Sequence, residues 1–142
     1  MTPKRKKNLR IKRETAERIL KEIVQRAEAI NASPESQYMY YVSKILIFGS
    51  YLTPKERLGD IDVAVKIEGR WKTDKEYDRL LDTVCGKKVT GDSKVLYPYQ
   101  KIITALRNRS KSLSFHSIEE VARGNFQYKI IFERGPRSLK TE

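Results

Sequence analysis

Two apolar runs, joined by a short polar connection, constrain this chain more than any other feature. The first is Ile45-Leu46-Ile47-Phe48, which runs into Gly49-Ser50. The connection is the nine residues from Tyr51 to Gly59, and the second run is Asp60-Ile61-Asp62-Val63-Ala64-Val65. Four to eight β-branched or aromatic residues bounded by turn formers read as a buried strand. Alternate residues of a strand face the same side of a sheet. Asp60 and Asp62 are therefore expected to point one way, and Ile61 and Val63 the other. Neighbouring carboxylates repel, and a hard cation relieves that repulsion. Magnesium often uses one or two carboxylates together with substrate phosphates. Glycine and serine at the turn let a phosphate approach the backbone and its N–H donors.

Phe48, Gly49, Ser50, Asp60, Ile61, Asp62 and Val63 together resemble the signature of the DNA polymerase beta-like nucleotidyltransferase superfamily. That signature is a hydrophobic residue, Gly, Gly or Ser, a gap of nine to thirteen residues, then alternating acidic and hydrophobic residues. The match spans residues 45–67 and fixes an apolar strand, a small pair and paired acids in register. The resemblance implies transfer of a nucleoside monophosphate from a nucleoside triphosphate to a hydroxyl, with release of pyrophosphate. It assigns magnesium, or manganese in its place, to Asp60 and Asp62, which are also the catalytic pair. It assigns the β- and γ-phosphates to Gly49 and Ser50, with a short helix or turn whose amino end lies beside them. Lys55 and Arg57 either add charge to the phosphates or are solvated cations. The acceptor is a protein, an RNA end or a small molecule. A partner protein or a homodimer would complete the site of so small a chain.

With 142 residues the chain is one domain by length, able to bury a core without a metal or disulfide. Thirty basic residues against eighteen acidic give a net charge of +12, which favours polyanionic partners, either nucleic acid or nucleotides. Cys85 is the single cysteine, so no internal disulfide or cysteine-based zinc site forms. His116 is the single histidine. The charged amino end does not read as a signal peptide, and nothing approaches the roughly 18 apolar residues of a membrane span. No membrane partner and a cytoplasmic location are the expectation.

Residues 1–13 hold Lys4, Arg5, Lys6, Lys7, Arg10, Lys12 and Arg13 and no acid. They read as a flexible basic arm, for nucleic-acid phosphates or for solvent. The domain follows as 14–134, and 135–142 is a tail. Ala16, Ile19, Leu20, Ile23, Val24, Ala27 and Ile30 recur at helical spacing, up to the stop at Asn31-Ala32-Ser33-Pro34. Tyr38, Tyr40 and Tyr41 read as packing under a loop, with a strand from Lys44 to Phe48 and another from about Asp60 to Ile67. Thr73-Asp74-Lys75-Glu76 opens a helix as a capping box. Residues 86–95 form a loop, and Pro98 sits in the first turn of the next helix. Leu113 to His116 is a short strand, Ser117 to Glu120 a second capping box, and Tyr128 to Phe132 the last strand. The fold expected is an α/β chain of α+β type. A small mixed sheet of about four strands carries helices on one face, in the nucleotidyltransferase-like arrangement.

One element departs from the resembled pattern. The family places a third acid on a strand beside the pair, and the matching strand here, Leu113 to His116, carries none. Glu133, Asp92 or His116 would have to serve, with Glu119 and Glu120 read as capping and surface residues. Alternatively, the chain is a catalytically degenerate form of the fold, acting as a nucleic-acid-binding or regulatory module.

Overall fold

The computed structural model describes residues 11–134; most of the basic arm, and the tail at 135–142, lie outside them. Strand β1 (Ile11–Lys12) leads into α1 (Arg13–Ala32), followed by β2 (Tyr40–Phe48), a 3-10 turn (Gly49–Leu52), β3 (Arg57–Leu58) and β4 (Ile61–Gly69). Helices α2 (Asp74–Cys85) and α3 (Ser93–Arg107) come next, then β5 (Leu113–Ser117), α4 (Ile118–Gly124) and β6 (Tyr128–Glu133). The sheet is mixed, in the order β5-β4-β2-β6, and only the β4–β5 pair is parallel. The expected α+β class holds.

Alternation along the strands divides the side chains between two faces. Val42, Ile45 and Ile47 of β2 and Ile61, Val63 and Val65 of β4 form one buried cluster with the α1 and α3 stripes (Ile19, Ile23, Ile102, Leu106). The opposite face is smaller, with Leu46, Phe48 and Ala64 packed under Val121 and Ile118 of α4. Helices thus cover both faces. The large ones lie on one side, and a single short helix covers part of the other. Among the described residues no helix is long and apolar enough to cross a membrane.

Several boundaries differ from expectation for local reasons. Strand β2 takes in Tyr40 and Tyr41, because β4 runs on to Gly69 and gives them partners (Tyr40 opposite Gly69, Tyr41 opposite Glu68). Helix α3 begins at Ser93, so Pro98 lies inside it rather than in its first turn. An interior proline leaves the carbonyl four residues back without its helical donor. Here that carbonyl belongs to Lys94, and the Cys85 thiol donates to it at 3.3 Å. The two-residue pair β1–β3 (Ile11 opposite Leu58, Lys12 opposite Arg57) has no counterpart in the expected strands.

The end of the basic segment is ordered, in contrast to a flexible arm through residue 13. The Arg13 guanidinium donates to the carbonyls of Tyr51 (2.9 Å), Thr53 (2.6 Å) and Lys55 (2.7 and 3.1 Å) and lies over the Tyr51 ring at 5.0 Å. One planar fork thereby ties α1 to the connection between the two signature strands. Replacing Arg13 by Ala leaves three carbonyls without their charged donor. The expected loss is about 2–3 kcal/mol, read as a lower urea midpoint at unchanged slope. Arg13→Lys recovers only part of it, since an ammonium cannot reproduce the fork. A shift below about 0.5 kcal/mol, the size of an ordinary surface change, would mean that the connection holds itself.

Candidate functional site

Antiparallel and parallel registers together lay one row of side chains across the sheet. Ser114 of β5 is level with Asp62 of β4, Asp62 with Phe48 of β2, and Phe48 with Tyr128 of β6. Paired positions share a face, and this row lies on the α4 side. One row further in are His116, Ala64, Leu46 and Ile130.

Gly49 follows Phe48 at the end of the row and opens the 3-10 turn with φ +78°. A Cβ added there would run into Oδ2 of Asp62, with Cγ only 3.3 Å away. The bare glycine is what lets the carboxylate lie against the turn, as the strand–turn–strand reading expects. Ser50 is half-buried beside it. Its carbonyl accepts from the amide (3.0 Å) and the hydroxyl (2.6 Å) of Thr53. Among the described residues its own hydroxyl has no partner.

Asp60 is placed differently from the expected matched pair. Gly59 and Asp60 form a bend and β4 begins at Ile61, so Asp60 stands outside the ladder and is exposed. It lines a groove with Lys12, Arg57 and Lys111. The two carboxylates still feel each other, since the Asp60 charge is one of the influences that raise the Asp62 pKa. Lys55 and Arg57 line a cleft beside Arg13 and Pro54.

The structure brings a histidine of β5 to Asp62, from the strand on which the resemblance leads one to expect an acid. His116 Nε2 is 3.2 Å from Asp62 Oδ1 and 3.1 Å from Ser114 Oγ, and Nδ1 is 2.8 Å from Glu120 Oε2. A carboxylate faces each ring nitrogen, and only the doubly protonated ring donates to both. Burial by itself would lower the His116 pKa; the bonds to Glu120 and Asp62 outweigh it and raise the pKa above the ordinary value. The two carboxylates respond oppositely. Burial raises Asp62 despite the histidine, whereas the histidine bond lowers the more exposed Glu120. Side-chain exposure explains the difference, at 30% for Asp62 and 48% for Glu120. The Phe48 ring meets His116 edge-on at 5.1 Å and fixes its tilt.

A single histidine makes this cluster easy to follow by NMR. In EDTA the His116 ring is expected to titrate above the ordinary histidine value, and Glu120→Gln to lower its midpoint. A group whose folded pKa is raised contributes stability below its unfolded pKa, and that contribution fades as pH rises through the folded value. The histidine's contribution therefore weakens on the alkaline side. A midpoint at or below the ordinary value would contradict the double contact.

The remaining candidates fall elsewhere. Glu133 pairs with Lys44 at 3.6 Å at the far end of β6, and Asp92 precedes α3. Glu119 lies in the first turn of α4. Sequence reasoning gave Glu120 only a capping or surface role and assigned no site role to Ser114, Phe126 or Tyr128. The local signal for the first was the four-residue step from His116, which places a side chain within reach once Ser117 caps α4. Phe126 (48% exposed) packs on Phe48 with ring centres 5.2 Å apart, and Tyr128 is 54% exposed at the end of the row.

Among the described residues no group of three or more His, Cys, Asp or Glu side chains is arranged to hold a metal ion. Asp62 offers Oδ2 on the Gly49 side while Oδ1 meets His116. The donor set fits one ion that arrives with triphosphate oxygens as its other ligands, and it lacks the third acid for a second ion. Comparison of the chain with protein-family models, curated proteins and solved structures gives no match.

Proposed function

We propose that the chain binds a nucleoside triphosphate at Gly49, Ser50 and Asp62 and transfers its nucleoside monophosphate to a hydroxyl. The observation that carries this reading is the contact of the Asp62 carboxylate with the bare backbone of Gly49, beside an unengaged Ser50 hydroxyl. Phosphate oxygens need donors where the backbone comes close, and a carboxylate next to them needs a cation between. Asp62, with Asp60 nearby, would hold magnesium or manganese, which shields the triphosphate charge when bound. Gly49 and Ser50 orient the β- and γ-phosphates. The exposed faces of Phe126 and Tyr128 give a base something to stack on, worth about 1–3 kcal/mol per base.

In the transfer, the acceptor oxygen forms a bond to the α-phosphorus. The bond from that phosphorus to the bridging oxygen breaks, and pyrophosphate leaves with the electron pair. The hydroxyl proton passes to water. His116 holds Asp62 in place through Nε2 and, when protonated, adds positive charge beside the phosphates.

A second reading keeps the binding and drops the transfer. It is favoured by His116, which comes from the strand on which the resembled pattern has its third acid and engages one oxygen of Asp62. Purified protein with labelled nucleoside triphosphates and magnesium, with and without RNA or cell extract, separates the two. Label transfer that disappears in Asp62→Ala supports the enzyme. Saturable triphosphate binding without transfer supports the module. Absence of both overturns the reading.

A further inference from the structure

The groove beside Asp60 lies next to the site without belonging to the Gly49–Asp62 contact. It has a volume of about 750 Å³ and is lined by Lys12, Thr15, Arg57, Asp60, Lys111 and Ser112. Three cations face one acid. Lys12 and Lys111 have no carboxylate partner among the described residues, whereas Lys44, Lys66 and Lys94 each have one. Thr15 and Ser112 add hydroxyl donors between the charges. The elements that place these residues are far apart in sequence. Lys12 pairs with Arg57 across β1–β3, and Ser112 accepts the Ile61 amide at 2.7 Å just before β5. The groove is therefore built by the tertiary fold and is more than a run of charge. The sequence preceding Ile11 carries five further cations, Lys4, Arg5, Lys6, Lys7 and Arg10.

We propose that this groove holds the phosphodiester backbone of a single-stranded nucleic acid, the strand that supplies the acceptor hydroxyl. Spaced cations with interleaved hydroxyls match a chain of phosphates, each contributing to affinity through released counterions. Asp60 and Asp62 are two residues apart, at most about 7 Å of chain, so the Asp60 wall of the groove lies within that distance of Asp62. The acceptor role rests on the transferase reading above; the binding surface does not.

The test measures binding of a short fluorescent single-stranded RNA by anisotropy in EDTA, without triphosphate, over a salt series. Full-length Lys12→Ala/Lys111→Ala is compared with Lys87→Ala/Lys88→Ala, which removes the same charge from an exposed segment elsewhere. The groove variant is expected to bind about 10- to 30-fold more weakly at roughly 0.1 M salt, with the log–log salt slope shallower by about 1.4. The control is expected to change by less than about 3-fold, because neither of its lysines would contact the strand. Equal losses in both variants, or none in the groove variant, overturn the proposal. So does displacement of the RNA by polyglutamate at equal charge concentration, which would mark a general site for acidic polypeptide. Because no triphosphate is present, failure here leaves the label-transfer result untouched, and loss of label transfer leaves this binding untouched.

Discussion

Asp62→Asn is expected to abolish the proposed nucleotide transfer while the protein stays folded. The amide keeps the shape of the side chain and its place between Gly49 and His116. It removes the negative charge that a triphosphate-borne cation and the His116 imidazolium both require. Loss of a charged group at a transferring phosphoryl centre is expected to lower the rate by about 10²–10³-fold or more. Stability should fall by no more than about 1–2 kcal/mol, because the amide weakens the charge-assisted bond to His116 but relieves a carboxylate that burial disfavours. The comparison is a transfer rate against a urea melt on the same preparation. Undiminished transfer by the amide would remove Asp62 from the chemistry. A collapse of stability would make it structural.

Gly49→Ala is expected to damage both fold and function. The residue sits at φ +78°, and its added Cβ would collide with the carboxylate of Asp62. A left-handed backbone costs a non-glycine residue about 1–2 kcal/mol. Displacing a half-buried carboxylate from its histidine adds to that, since a charge-assisted bond is worth about 1.5–3 kcal/mol. A total loss of about 2.5–5 kcal/mol would show as a lower melting midpoint. Triphosphate affinity should fall with it, because either the turn or Asp62 must move. Gly91→Ala is the control for positive-φ strain alone. It also has positive φ, at +66°, but a Cβ there meets nothing within 4 Å. If both variants lose the same stability and neither loses triphosphate affinity, the close approach of Gly49 to Asp62 has no functional meaning.

The parts of this fold that were legible from sequence are those written in local patterns. The helical stripe from Ala16 to Ile30, the two capping boxes and the alternation in β2 and β4 each state their element within a few residues. Pro98 misled because its usual place is a first turn. The thiol that lets it sit deeper, Cys85, lies on another helix. Asp60 misled because the alternating pattern starts one residue before the ladder does; the bend at Gly59-Asp60 ends the period-two register. The site was half legible. Gly49 and Ser50 open one turn, and Asp62 follows twelve residues later on the adjacent strand, opposite Phe48. His116 meets Asp62 across 54 residues through a parallel pairing, and no short motif encodes that register. The groove at Lys12, Arg57 and Lys111 is hidden for the same reason, since three distant segments build it.

The most direct measurement of the central claim is an amide and imidazole NMR titration with a non-hydrolysable nucleoside triphosphate and magnesium. Saturable shifts at Gly49, Ser50 and Tyr51, with the His116 ring moving at the same concentrations, are the expected result. Saturating nucleotide that leaves those signals in place, or that moves only residues remote from the turn, would contradict a phosphate site at Gly49 and Asp62.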